Sequence, residues 1–230
     1  MPEIKWMESP NYSSGRNGKK IIAIVDHITA GLMPGTLSWM QNPMAKVSAH
    51  YLVTRKGEIY QLVKDEDTAY HAGVINKPNW VLYDGTNPNR YTIGIEHEGH
   101  KNQGGDGTLT ENQYQATLWL HRQLIDKYNL KITDSHIIGH CQIDSVNRPN
   151  CPGANFPWKR MFEDLRKGVI DMSLEKWMVE GGQKALTGLA KRKLVNNPEN
   201  WISEEKLAEP VPSYLFWMML QRLAEKIQVR

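Results

Sequence analysis

The chain has 230 residues, 40% hydrophobic and 23% charged, with a formal net charge of +3. That length holds one full domain and a small second one. The near-neutral balance, with no run of like charges, excludes the electrostatic footprint of a nucleic-acid binder, although slight basicity suits an anionic polymer.

No segment reaches the roughly 18 apolar residues of a membrane span, so no membrane insertion is expected. The N-terminus, MPEIKWMESPNYSS, lacks the apolar stretch of a signal peptide, which implies synthesis in the cytoplasm. Two cysteines, Cys141 and Cys151, are too few for a disulfide framework. A thiolate metal ligand is the expectation for at least one of them.

In chain order, residues 21–28 (IIAIVDHI) predict a buried strand, broken by Ala30-Gly31 and Pro34-Gly35. Residues 36–41 predict a short helix, stopped by Asn42-Pro43. Residues 47–54 and 58–63 predict a hairpin around Arg55-Lys56-Gly57, and residues 91–97 another strand. Thr110 then suits a helix N-cap, with Gln113 where a capping box places its partner. Tyr114, Leu118, His121, Leu124 and Tyr128 recur behind it at helical spacing. Residues 136–139 predict a short strand ending at His140, and residues 157–167 a helix burying Trp158, Phe162 and Leu165. The class is α/β: a mixed central sheet flanked by helices.

Near residue 170 the texture becomes purely helical. Residues 1–170 read as the main domain and 171–230 as a small all-α module of three helices, the later ones following Pro198 and Pro212. An alternative is that these helices pack directly on the main domain.

Several residues carry possible chemistry. Zinc favours imidazole and thiolate, and catalytic sites use three protein ligands. His140 and Cys151, in GHCQIDSVNRPNCPG, are one candidate pair; a free Cys buried near an unrelated His is the bland alternative. If residues 137–141 are extended, His140 and Cys141 point to opposite faces, so Cys141 packs. His27 ends an apolar strand before a loop, where functional side chains gather. Taken alone it reads sooner as a hydrogen-bonded core histidine. In TIGIEHEG, alternation puts Thr92, Gly94 and Glu96 on one face, and Glu98 shares it. A carboxylate at mid-sheet needs a partner or a task, such as general base; an outward-facing Glu is the alternative.

The ordered set IVDHITAG, SWMQNP, VSAHYLVTRKGEIYQLV, AYHAG, TIGIEHEG and GHCQID…CPG resembles the zinc-dependent N-acetylmuramoyl-L-alanine amidases. That family includes phage endolysins, bacterial autolysins and animal peptidoglycan recognition proteins. The resemblance covers about residues 20–160. It implies a Zn²⁺ ion on His27, His140 and Cys151, Glu96 as catalytic residue, and peptidoglycan as partner. It implies that His50 and His71 line or brace the substrate groove and bind substrate there. Trp80 and Tyr70 are further groove-lining aromatics, whereas Trp39 reads as packing. Some relatives carry a Tyr where Ala49 stands and a Lys where Pro149 stands; Arg148 is the candidate replacement for the latter.

The implied activity is hydrolysis of the bond between N-acetylmuramic acid and L-alanine. A phage endolysin or lytic autolysin acting on the wall after release is the leading expectation. Its C-terminal module would bind a wall polymer, or alternatively self-associate. The alternatives are a cytosolic amidase trimming muropeptides for recycling, and a non-catalytic peptidoglycan-binding protein.

Overall fold

A computed structural model describes residues 2–100, 103, 105–170 and 176–191. The chain divides into two units, Met1–Arg166 and Lys167–Arg230.

In the first unit, six strands form one mixed sheet in the order β1-β5-β4-β7-β3-β8. These are β1 (Ile4–Trp6), β3 (Ala23–Ile28), β4 (Tyr51–Val53), β5 (Ile59–Gln61), β7 (Thr92–His97) and β8 (Ile137–Gly139); β2 (Tyr12–Ser13) and β6 (Thr68–Ala69) pair separately. The segments AIVDHI and TIGIEH are rich in β-branched residues that suit a sheet covered on both faces. Accordingly β3 lies parallel between β7 and β8, with His27 opposite Glu96 and Asp26 opposite Gly139.

Alternation then sorts the side chains. Ile24, Ile93 and Ile95 pack under Ala116, Leu120 and Leu124 of helix α2 (Glu111–Tyr128). Ala23, Val25 and Ile138 pack on the other face with Trp80, Tyr91 and Ile143. His27, Gly94 and Glu96 belong to this second face by alternation. His27 and Glu96 lie near the carboxyl ends of their parallel strands, where open α/β sheets place their ligands.

The helices follow the predicted pattern with instructive differences. Helix α1 spans Gly35–Met40 and α3 spans Trp158–Ile170. Met161 and Leu165 of α3 are buried against Tyr114 and Leu118 of α2, with Trp158 and Phe162 partly covered. Thr110 caps α2, its hydroxyl accepting the Gln113 N–H at 3.1 Å. Gln113 does not complete a capping box. Its amide is buried and donates instead to Val53 O and Glu98 O, at 3.1 and 3.0 Å. Two main-chain acceptors at the sheet margin outcompete the local partner.

The hairpin turn needs Gly57, which sits at φ +85°; a Cβ there would lie 2.7 Å from Asn112 O. The strand predicted over residues 47–54 shortens to Tyr51–Val53, because Ser48 is drawn into bonds with Asn11 and Tyr70.

Strands β1, β2 and β6 are two or three residues long and carry no period that sequence could reveal. Arg16, almost fully buried, follows β2. Its guanidinium donates to Asp65 O (2.5 Å), Asn89 O (3.3 Å) and Thr92 O (3.0 Å). In the second unit, Lys176–Lys191 form helix α4. The further helices expected after Pro198 and Pro212 lie outside the described residues. Among the described residues, no helix is long and apolar enough to cross a membrane.

Candidate active site

His27, His140 and Cys151 come together, their ligand atoms all within 4.8 Å of one another. His27 is delivered by β3, the strand bounded by β7 and β8. His140 opens a single 3-10 turn (His140–Gln142) directly after β8. The extended geometry assumed for residues 137–141 therefore stops at Gly139. Cys141 stands outside the trio, and its N–H donates to Cys151 O at 3.0 Å. Gly139 makes the approach of Cys151 possible. A Cβ at Gly139 would stand 2.8 Å from Pro152 Cδ and 3.0 Å from Cys151 O.

The imidazoles are held neutral. Burial pushes His27 well below its usual pKa, and neighbouring His140 and His71 add to the effect. Burial also lowers His140. Its Nε2 lies 2.9 Å from Ala72 O, an atom that only accepts, so Nε2 bears the proton and Nδ1 is the ligand atom. Burial and the facing Glu96 push the Cys151 thiol up to about 12. Two neutral imidazoles and a thiol, mutually close and lining a cavity, match the donor types that catalytic zinc sites use.

Glu96 neighbours His27 across the β3–β7 ladder. One carboxylate oxygen, Oε2, is enclosed without a hydrogen-bond partner. Burial raises its pKa to about 8, and the positive charge of Arg148 opposes the rise. A buried oxygen with an unused lone pair is costly unless something occupies it during turnover. Glu98, by contrast, is consumed structurally: its two oxygens accept the Met33 and Arg55 N–H groups at 2.9 and 2.7 Å.

A cavity of about 780 Å³ opens over this cluster. His27, Glu96, His140, Arg148 and Cys151 line it, with His71, Tyr70, Trp39, Val47 and Val74 among the walls. Trp39 is 57% exposed at the mouth, a wall rather than the packing residue expected. Trp80, expected to line the groove, does not reach it, and His50, expected to line or brace it, does not line it. Trp80 is buried, stacked on Tyr91, with its indole N–H on Ser135 O at 2.8 Å. His50 is buried and accepts the Gly94 N–H at 3.0 Å. Burial and the adjacent Arg16 lower its pKa to about 3. Both are braces beneath the cavity. His71 lines the cavity yet is committed at both ring nitrogens, to His27 and Thr92.

Residues 17–154 match the family described as N-acetylmuramoyl-L-alanine amidase. The chain belongs to this family. It shares 40% identity with the 1,6-anhydro-N-acetylmuramyl-L-alanine amidase AmpD of Salmonella typhimurium over 76% of this chain and 95% of that protein. Among solved structures it resembles AmiD from E. coli, crystallised with anhydro-N-acetylmuramic acid-L-Ala-D-gamma-Glu-L-Lys. That match has 28% identity and TM-score 0.52, covering 66% of this chain and 58% of AmiD. It also resembles the endolysin LysCS from Clostridium intestinale, at 21% identity and TM-score 0.53, over 72% of this chain and 97% of LysCS. At that identity the last match shows the fold alone.

The amidase therefore hydrolyses the N-acetylmuramoyl-L-alanine bond of peptidoglycan-derived substrate. Sequence reasoning missed two of its site residues, Asn89 and Thr92. Asn89 Oδ1 accepts the N–H groups of His71 and Ala72, at 3.1 and 2.7 Å. Thr92 was visible only as a small polar residue on the face of Glu96.

Proposed function

We propose that this amidase is a zinc enzyme acting on soluble 1,6-anhydro-muropeptides, in the manner of a recycling amidase. The observation that carries the reading is the 40% identity to an amidase so named over 95% of that protein's length. The endolysin match, at 21% identity, shows the fold alone and lends no support to a lytic role on intact wall.

His27 Nδ1, His140 Nδ1 and Cys151 Sγ would hold the ion. Bound there, zinc supplies Lewis acidity to the scissile carbonyl and acidifies a water molecule. Glu96 accepts the water proton at its unpartnered oxygen and returns it to the departing amine of L-alanine. The raised pKa of Glu96 suits both halves of that transfer, since an acid and base used in turn works best near the operating pH. Arg148 adds positive charge to the same wall, near the place where relatives carry a lysine. Trp39, Tyr70 and Val74 offer an amphipathic surface for the sugar and the stem peptide.

Turnover is measured on a purified 1,6-anhydro-muramoyl tripeptide and on purified sacculi, with mass spectrometry of the products. New L-alanine N-termini and a rate on the soluble fragment at least tenfold higher are expected. Comparable rates per bond on sacculi would overturn the soluble-substrate reading.

A further inference from the structure

The Tyr70–Ala72 segment reaches both metal-binding histidines. The Ala72 carbonyl receives the Nε2–H of His140. The His71 ring lies 3.0 Å from His27, between His71 Nδ1 and His27 Nε2. On its other side, His71 Nε2 lies 3.0 Å from Thr92 Oγ1.

The proton positions along this chain follow from one atom that cannot donate. Pro88 O is a carbonyl, and the Thr92 hydroxyl donates to it at 2.8 Å. A hydroxyl has a single proton. Thr92 Oγ1 must therefore accept from His71, which places the His71 proton on Nε2. His71 is buried and neither of its ring nitrogens faces an anion that would hold a second proton, so Nδ1 presents a lone pair, and His27 Nε2 must donate to it. His27 is thereby left with its lone pair on Nδ1.

We propose that Thr92 and His71 are positioning residues that select the zinc-binding tautomer of His27. They form a relay from Pro88 O through the Thr92 hydroxyl and the His71 ring. This rests on the reading that His27 and His140 hold zinc.

Two observations outside the relay itself support it. Gly94 leaves the space that His71 fills: a Cβ at Gly94 would stand 2.4 Å from His71 Cγ. The segment is also fastened at its backbone, because Asn89 Oδ1 holds both the His71 and Ala72 N–H groups. Ring, main chain and side-chain space all agree on one orientation. Partners that hydrogen-bond a metal ligand and fix its ring typically change metal affinity by about 10–100-fold when removed.

Thr92→Val keeps the shape of the side chain and deletes the acceptor; Thr92→Ser keeps the hydroxyl. Two measurements on the full-length chain decide the matter. Long-range ¹H–¹⁵N spectra of the zinc-free protein report the His27 and His71 tautomers, and competition with a chelating dye reports the zinc dissociation constant. Wild type and Thr92→Ser should show both rings protonated at Nε2, with zinc affinities within about threefold of each other. Thr92→Val should show a mixed or inverted His71 tautomer and zinc binding weakened about 10–100-fold. An unaltered tautomer pattern and unaltered affinity in a folded Thr92→Val protein would overturn the relay. If the wild-type chain binds no zinc, the metal reading fails, whereas the spectra still decide whether Thr92 sets the tautomers.

Discussion

Gly94→Ala is the sharpest single test of how the site is packed. The added Cβ would lie 2.4, 2.7 and 2.8 Å from His71 Cγ, Cδ2 and Cβ. Ordinary contact begins at 3.4 Å, so the ring must retreat by 3.4 − 2.4, or about 1.0 Å. The strand cannot yield in its place, because β7 is paired on both sides, with β3 and β4. A retreat of that size breaks the 3.0 Å bonds at each end of the His71 ring. Two lost bonds contribute about 0.5–1.5 kcal/mol each, and overpacking about 1–3 kcal/mol. The expected destabilisation is about 2–6 kcal/mol. Urea unfolding of the zinc-free protein measures it, and the same substitution in a His71→Gly background, which removes both the ring and the Cβ at 2.8 Å, supplies the control. There the clash partner is gone, so Gly94→Ala should cost much less. A loss below about 0.5 kcal/mol, or equal losses in both backgrounds, would refute the packing argument.

Three further outcomes are expected. Glu96→Gln should retain zinc by metal analysis and lose about 10²–10⁴-fold in kcat, the usual worth of a general base; full activity would remove Glu96 from that role. Trp39→Ala should raise KM for the muropeptide about 2–10-fold, the effect of about 0.5–1.5 kcal/mol of aromatic contact, while leaving Tm unchanged. An unchanged KM would return Trp39 to the surface. Asp65 should govern part of the acid unfolding. Burial pushes its carboxyl up, but bonds from Lys127, Tyr128 and Tyr51 more than offset this and hold it below its usual value. A depressed folded pKa stabilises above the unfolded value of about 3.9 and is lost as pH falls through the folded one. Asp65→Asn should therefore flatten the decline in urea midpoint between about pH 5 and pH 2, and an equally steep decline in the variant would exclude Asp65 as its source.

Much of this site was legible because strands announce themselves. The runs ending in His27 and Glu96 are short, apolar and β-branched, and alternation already set Thr92, Gly94 and Glu96 on one face. Sequence could not supply the register that makes His27 and Glu96 neighbours, since residues 69 positions apart are matched by sheet pairing and not by spacing. Aromatics outside the sheet were the least legible. Trp39 lies on the short helix α1 and Trp80 in a loop, yet it is the loop residue that is stacked in the core and the helical one that is 57% exposed at the cavity mouth. Their fates depend on which distant surface each segment meets. Gln113 misled for a related reason: its position suited a local cap, while two carbonyls from β4 and the end of β7 were better partners. Arg16 carried no signal, because three of its partners are main-chain oxygens that no residue type encodes, and the fourth, His50 Nε2, is brought to it only by the fold.

That arginine bears on where the catalytic unit can be cut. The family match begins at residue 17, one position beyond Arg16. An expression boundary drawn there by homology would delete the guanidinium and strand the carbonyls of Asp65, Asn89 and Thr92 without their donor. Two of those residues border the His71 strap, so a trimmed enzyme would be disturbed at its centre although nothing near the centre had been removed. The smallest faithful catalytic fragment starts ahead of Arg16.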